Sequence, residues 1–152
     1  VSISIVLAAV TRSIIIGIVS TLVFFLIVDI KITNLFYTFY SAFFGSFFIG
    51  SLGFVTGLWA TKFDHTATIT NFIITPLAFL SGVFYTIDRL PSIFQTISYF
   101  NPFFHIINIF RFGFLGVSDG EILFGMIYLP LLSFIAWLVA YSLYKNGYKI
   151  KT

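Results

Sequence analysis

The chain has 152 residues, of which 59% are hydrophobic, 21% aromatic and 9% charged, and its net charge is +3. Soluble domains carry roughly 25% charged residues, so this composition excludes an ordinary soluble enzyme or binding module. The absence of cysteine excludes a disulfide framework and a thiolate metal site, and no basic–aromatic pattern points to nucleic acid.

Lys, Arg, Asp and Glu are missing from residues 13–28, 32–61, 65–87, 90–110 and 122–144. A charge in hydrocarbon costs several kcal/mol and a span needs roughly 20 apolar residues, so the gaps read as membrane-embedded helices. The sequence opens on Val1 inside an apolar run, with no charged leader or cleavage pattern. It therefore reads as the C-terminal part of a longer chain.

The first span is placed at 5–28, with Arg12 near its start able to snorkel to headgroups. Its β-branched centre, Ile14 to Val19, would favour a strand in water. In lipid the backbone must satisfy itself, so a helix is expected. A polar turn at Asp29 and Lys31 leads to a second span at 35–60. Gly45, Gly50, Gly53 and Gly57, interleaved with Ser46 and Ser51, suggest a close-packing helix face. The segment 61–65, with Asp64 and His65, reads as a tight polar loop.

A third span is expected at 67–84, kinked by Pro76, with Thr75 and Asn71 bonding the released carbonyls. The stretch 85–116 is apolar but broken by Asp88, Arg89, Pro91, Asn101, Pro102 and Arg111. Its two pieces, 91–100 and 102–115, are each too short to cross. Asn101 fits an N-cap before Pro102 at the first helical position. They read as a short re-entrant hairpin, the alternative being one kinked crossing span. A last span at 121–144 carries Pro130 and ends in an aromatic belt of Trp137, Tyr141 and Tyr144. The expected fold is thus an all-α membrane protein, a single domain over 1–152 with four transmembrane helices plus an external re-entrant helical hairpin.

The tail holds Lys145, Lys149 and Lys151 and no acid, which places the C-terminus in the cytoplasm. Counting back, Lys62 and Arg12 are cytoplasmic, while Asp29, Asp88, Asp119 and Glu121 lie outside.

No catalytic constellation is present, and no catalytic, cofactor-binding or metal-binding residue is assigned. There is no Gly-rich phosphate loop, and Ser81-Gly82 lacks the flanks of a nucleophile elbow. Asp64 beside His65 reads as a solvated turn. His105 reads as an interfacial polar tip, with a proton relay or ligand as the alternative, and Arg111 needs a counter-ion, for which Asp119 and Glu121 are the candidates, the alternative being lipid phosphate or an anionic substrate at the outer leaflet.

The ordered set Asn71, Pro76, Ser81-Gly82-Val83-Phe84-Tyr85, Leu90-Pro91, Asn101-Pro102, Phe110-Arg111 and Gly116 resembles the C-terminal signature of ABC-2-type permeases, the membrane subunits of ATP-driven exporters. Arg12, the glycine-rich second span and Phe63-Asp64 also fit, and the resemblance runs along the whole chain. One departure is Thr86, where many relatives carry proline. The resemblance implies the last four of six spans in a multi-pass protein of the bacterial inner membrane, without its own ATPase site. It implies a homodimer working with a cytoplasmic ATP-binding subunit, in contact with membrane lipid, exporting a drug, lipid-linked glycan or polysaccharide. It would place the loop of Asp64 and His65 near the ATPase. Competing readings are an ion- or proton-coupled carrier or channel, which intramembrane carboxylates would favour although none lies inside the four spans, and a non-functional remnant of an exporter permease.

Overall fold

The computed structural model describes residues 1–28, 31–60 and 62–147, and among these all regular structure is helical. Three helices are long and apolar enough to cross a membrane: α1 (Ser2–Ile27), α2 (Leu35–Trp59) and α7 (Ile122–Lys145). Between α2 and α7 lie α3 (Phe63–Ile69), a π turn (Thr70–Ile74), α4 (Thr75–Phe79), a 3-10 turn (Ile87–Arg89), α5 (Ser92–Phe100) and α6 (Pro102–Leu115). Asp29, Thr61 and the tail lysines Lys149 and Lys151 lie outside the described residues.

Helix α2 is the hub, packing against α7, α6 and α1. Small residues set how closely these neighbours approach. A Cβ on Gly45 would come within 2.9 Å of the Ile106 side chain, and one on Gly50 within 3.2 Å of Ala9. Gly53 and Gly57 face open space, so the glycine stripe is spent only in part on contacts inside this chain. Helix α1 touches α2 through its first half, where Val6 and Val10 are buried, and then diverges. The divergence leaves an apolar groove of about 230 Å³ between α1, α2 and α6.

The three proline-bearing helices accommodate their prolines differently. Pro130 cannot donate to the carbonyl of Met126 one turn back. The Tyr40 hydroxyl of α2 donates to that carbonyl at 2.5 Å, so an interhelical bond replaces the lost intrahelical one. Before Pro76 the helix widens into the π turn, and both the backbone N–H and the hydroxyl of Thr75 donate to the Thr70 carbonyl, the latter at 2.9 Å. The expectation for Thr75 is not met, because the carbonyl left without a donor by Pro76 is that of Phe72, four residues back, and Thr75 bonds Thr70 instead; Asn71 is exposed. Pro102 sits at the first position of α6, where its missing N–H costs nothing.

Two sequence expectations need correction here. Asp64 and His65 are not in a loop: α3 begins at Phe63, after an extended Lys62, and Asp64 falls in its first turn, where the helix dipole favours a carboxylate. The third apolar stretch is not one regular helix over 67–84. Helical structure starts at Phe63, is interrupted by the π turn and stops at Phe79. It stops because Leu80 to Tyr85 form a turn in which Gly82 has φ +78°, a conformation costly for any residue with a Cβ.

Candidate functional site: a polar brace around helix α6

The last carbonyls of a helix have no intrahelical partner and need one when buried. At the C-terminus of α4 three successive carbonyls are taken by side chains. Asn101 Nδ2 donates to Leu77 at 2.6 Å, the Ser81 hydroxyl to Ala78, and the Tyr85 hydroxyl to Phe79 at 2.7 Å. One turn further on, the Arg111 guanidinium donates to the Gly82 carbonyl at 2.5 Å. Residues far apart in sequence are thus joined by the end of one helix.

Asn101 serves two elements. Its amide caps α4, while its Oδ1 accepts from the Phe103 N–H at 3.0 Å as the N-cap of α6. Helix α6 ends at Gly116, left-handed at φ +73°. Its inner face carries His105, Asn108 and Arg111, three residues apart and so on one side. Asn108 is buried and bridges the loop before α7: Nδ2 donates to Gly120 at 3.2 Å, and Oδ1 accepts from the Asp119 N–H at 2.8 Å. Arg111 pairs with Asp119, its carboxylate mostly buried. Of the two candidate counter-ions, Asp119 is therefore the partner and Glu121 is not.

His105 is not an interfacial tip. It is 1% exposed, with Nε2 at 2.8 Å from the Tyr99 carbonyl, and that bond requires Nε2 to carry the hydrogen. Nδ1 rests against Gly125, whose Cβ, if present, would lie 3.0 Å away. The ring is enclosed by Phe104, Phe124 and Tyr128. Helix α6 turns His105 inward because its outer positions are taken by hydrocarbon.

On its other side α6 is pinned to α2. The Ser41 hydroxyl donates to Ile106 at 2.5 Å, and the Asn34 N–H to Gly113 at 2.8 Å. A Cβ on Gly113 would reach 2.6 Å from the Thr38 backbone nitrogen, so only glycine permits this approach. Asn108, Tyr40 and Ser41 were not singled out from the sequence. Asn108 was detectable as the residue between His105 and Arg111 at helical spacing. Tyr40 and Ser41 bond carbonyls 86 and 65 residues away and leave no local trace.

Beside the brace lies an open cleft of about 580 Å³, lined by Tyr99, His105, Ser118, Gly120, Glu121 and Phe124. Among the described residues no cluster of metal-ligating side chains occurs. What the arrangement does is mechanical: α6 ties the end of α4, the start of α7 and the start of α2 into one unit.

The chain shares sequence with several curated proteins, among them the following. Inner membrane transport permease YadH of Escherichia coli (strain K12) is 36% identical over 97 residues, covering 62% of this chain and 37% of YadH. Nodulation protein J of Rhizobium leguminosarum bv. trifolii is 39% identical over 61 residues, covering 40% of this chain and 23% of that protein. Nodulation protein J of Sinorhizobium fredii (strain NBRC 101917 / NGR234) is 32% identical over 65 residues, covering 43% and 25%. The chain thus spans little more than a third of the length of YadH. No solved structure matches. The ABC-2 type transporter family matches residues 1–115, a region that holds α1 to α6 and the brace up to the Asp119 loop, and the chain belongs to that membrane transport family.

Proposed function

We propose that this chain is part of the permease subunit of an ATP-driven exporter, working as a homodimer with a cytoplasmic ATP-binding subunit in the bacterial inner membrane. The observation that carries the reading is the brace: the family-like residues Ser81, Tyr85, Asn101 and Arg111 all bond around the end of α4. A rigid unit of this kind transmits motion rather than performing chemistry.

In this reading the single domain crosses four times: through α1, α2, the α3–α4 segment and α7. Helices α5 and α6 dip from outside as a re-entrant hairpin, the C-terminus is cytoplasmic and lipid covers the outward faces. The two short helices support that arrangement, because 9 and 14 residues at about 1.5 Å each fall well short of a hydrocarbon core. Nucleotide binding in the separate subunit shifts the spans between two states, and its energy is the difference in nucleotide affinity between them. The π turn before Pro76 is the flexing point on the path from the cytoplasmic end of α3 to the brace. The exposed Gly53 and Gly57 face offers close packing to a second permease copy or another span. The transported molecule is a drug, a lipid-linked glycan or a polysaccharide.

The test is co-purification of the full-length protein from mild detergent with an ATP-binding subunit encoded beside it. The reading expects a complex whose ATPase rate exceeds that of the isolated subunit. A full-length permease that binds no such subunit and stimulates none contradicts it.

A further inference from the structure

The cleft beside the brace has a chemistry that the transport reading does not use. Its polar and aromatic groups are almost all electron-rich. Glu121 is the N-cap of α7, yet its side chain makes no capping bond. Among the described residues its carboxylate has no ion-pair partner, since the single ion pair there joins Arg111 to Asp119. That pair is neutral as a unit, and Arg111 is further committed to the Gly82 carbonyl.

The walls are aromatic. Phe124 is 47% exposed, its ring stacked on Tyr128 with centroids 5.5 Å apart. Tyr99 is 40% exposed and meets Phe104 edge-on. Gly120 lets these rings close on the loop, since a Cβ there would lie 3.1 Å from Phe104 and 3.3 Å from Tyr99. Two of the hydrogen-bond donors nearby are spent, while the hydroxyls of Tyr99 and Ser118 are exposed. The His105 Nε2–H is bonded to the Tyr99 carbonyl, and the Asp119 N–H to Asn108. Among the described residues no lysine or arginine lines the cleft.

An unpaired carboxylate beside exposed aromatic faces, with no basic side chain to neutralise it, favours a cation. An anion is repelled by Glu121, which also occupies the positive end of the α7 dipole. We propose that this cleft binds a substituted ammonium group, with Glu121 as counter-ion and Phe124 and Tyr99 as its aromatic walls. The ammonium is carried either by a soluble molecule or by the headgroup of a lipid such as phosphatidylethanolamine. Binding does not depend on the exporter reading, and its test involves neither ATP nor transport.

The experiment is saturation-transfer NMR from the full-length protein to choline, first in neutral maltoside micelles. Transfer to the choline methyls is expected, weakened about tenfold in Glu121→Gln and about two- to fivefold in Phe124→Ala. Ser118→Arg, which sets a fixed cation at the rim, should abolish it without touching the core. Repeating the measurement in nanodiscs separates the sources. If phosphatidylethanolamine discs suppress the choline signal and phosphatidylglycerol discs do not, the headgroup is the occupant. If neither suppresses it, the ligand is soluble. No transfer to the wild type overturns the proposal, as does equal transfer to folded Glu121→Gln and Ser118→Arg proteins.

Discussion

Replacing Tyr40 by phenylalanine removes one oxygen and keeps the ring, so it isolates the bond to the Met126 carbonyl. That carbonyl has no intrahelical donor because residue 130 is proline, and the Tyr40 hydroxyl at 2.5 Å supplies one. Interhelical hydrogen bonds in membranes average about 0.6 kcal/mol and reach about 1.7. Leaving the carbonyl unbonded in a part-buried site moves the cost toward the upper end, so Tyr40→Phe should cost about 1–2 kcal/mol. At roughly 2–4 °C per kcal/mol for a chain of this size, the midpoint should fall by about 2–8 °C. Pro130→Ala restores an N–H to the helix, which can then bond Met126 itself. In that background Tyr40→Phe should cost under about 0.5 kcal/mol, a coupling measurable by a double-mutant cycle. The assay is thermal unfolding of the full-length protein in one detergent, read by loss of the monodisperse chromatographic peak. Equal losses in the two backgrounds would refute the idea that Tyr40 substitutes for the donor that Pro130 lacks.

Glycine contacts give a paired prediction: Gly113→Ala should destabilise by about 1–3 kcal/mol, because its Cβ meets the Thr38 backbone, whereas Gly53→Ala, with open space around it, should be neutral within this chain. The same thermal assay separates them. Asn101→Ala removes both the α6 cap and the α4 C-terminal bond and should cost about 2 kcal/mol, with faster hydrogen exchange at Phe103 and Phe104. Asp119→Asn should loosen the loop before α7 by about 1–3 kcal/mol, since Arg111 is left without its counter-charge. Exchanging the two residues should restore only part of this, because an aspartate at 111 cannot donate to the Gly82 carbonyl.

Helix positions were legible in this sequence because lipid leaves few choices. A charge-free β-branched run such as Ile14 to Val19 has to be helical, and α1 extends through it. Asn101 and Pro102 announced the start of α6 by local chemistry alone. The α3–α4 segment was less legible: Pro76 signalled a break, but the widened turn lies before it, at Thr70–Ile74. Its position is fixed by which carbonyl Thr75 takes. The burial of His105 is hidden in the sequence for a similar reason. Its polarity suggested water, while the Tyr99 carbonyl six residues away satisfies it inside. The signature residues pointed to the family, but their joint task did not show. Asn101 and Arg111 bond carbonyls 24 and 29 residues away, and sequence spacing does not reveal such pairs.

The proposed membrane topology depends most on α5 and α6 turning back rather than crossing. The 152 residues contain no cysteine, so single cysteines placed at Ser92, Ser118 and Asn146, with any cysteine elsewhere in the full-length protein replaced, can be labelled in intact cells with a membrane-impermeant maleimide. Labelling at 92 and 118 from outside, with 146 reached only after the membrane is opened, is the predicted result. Labelling at 92 and 118 from opposite sides would mean that the hairpin crosses, and would contradict the account.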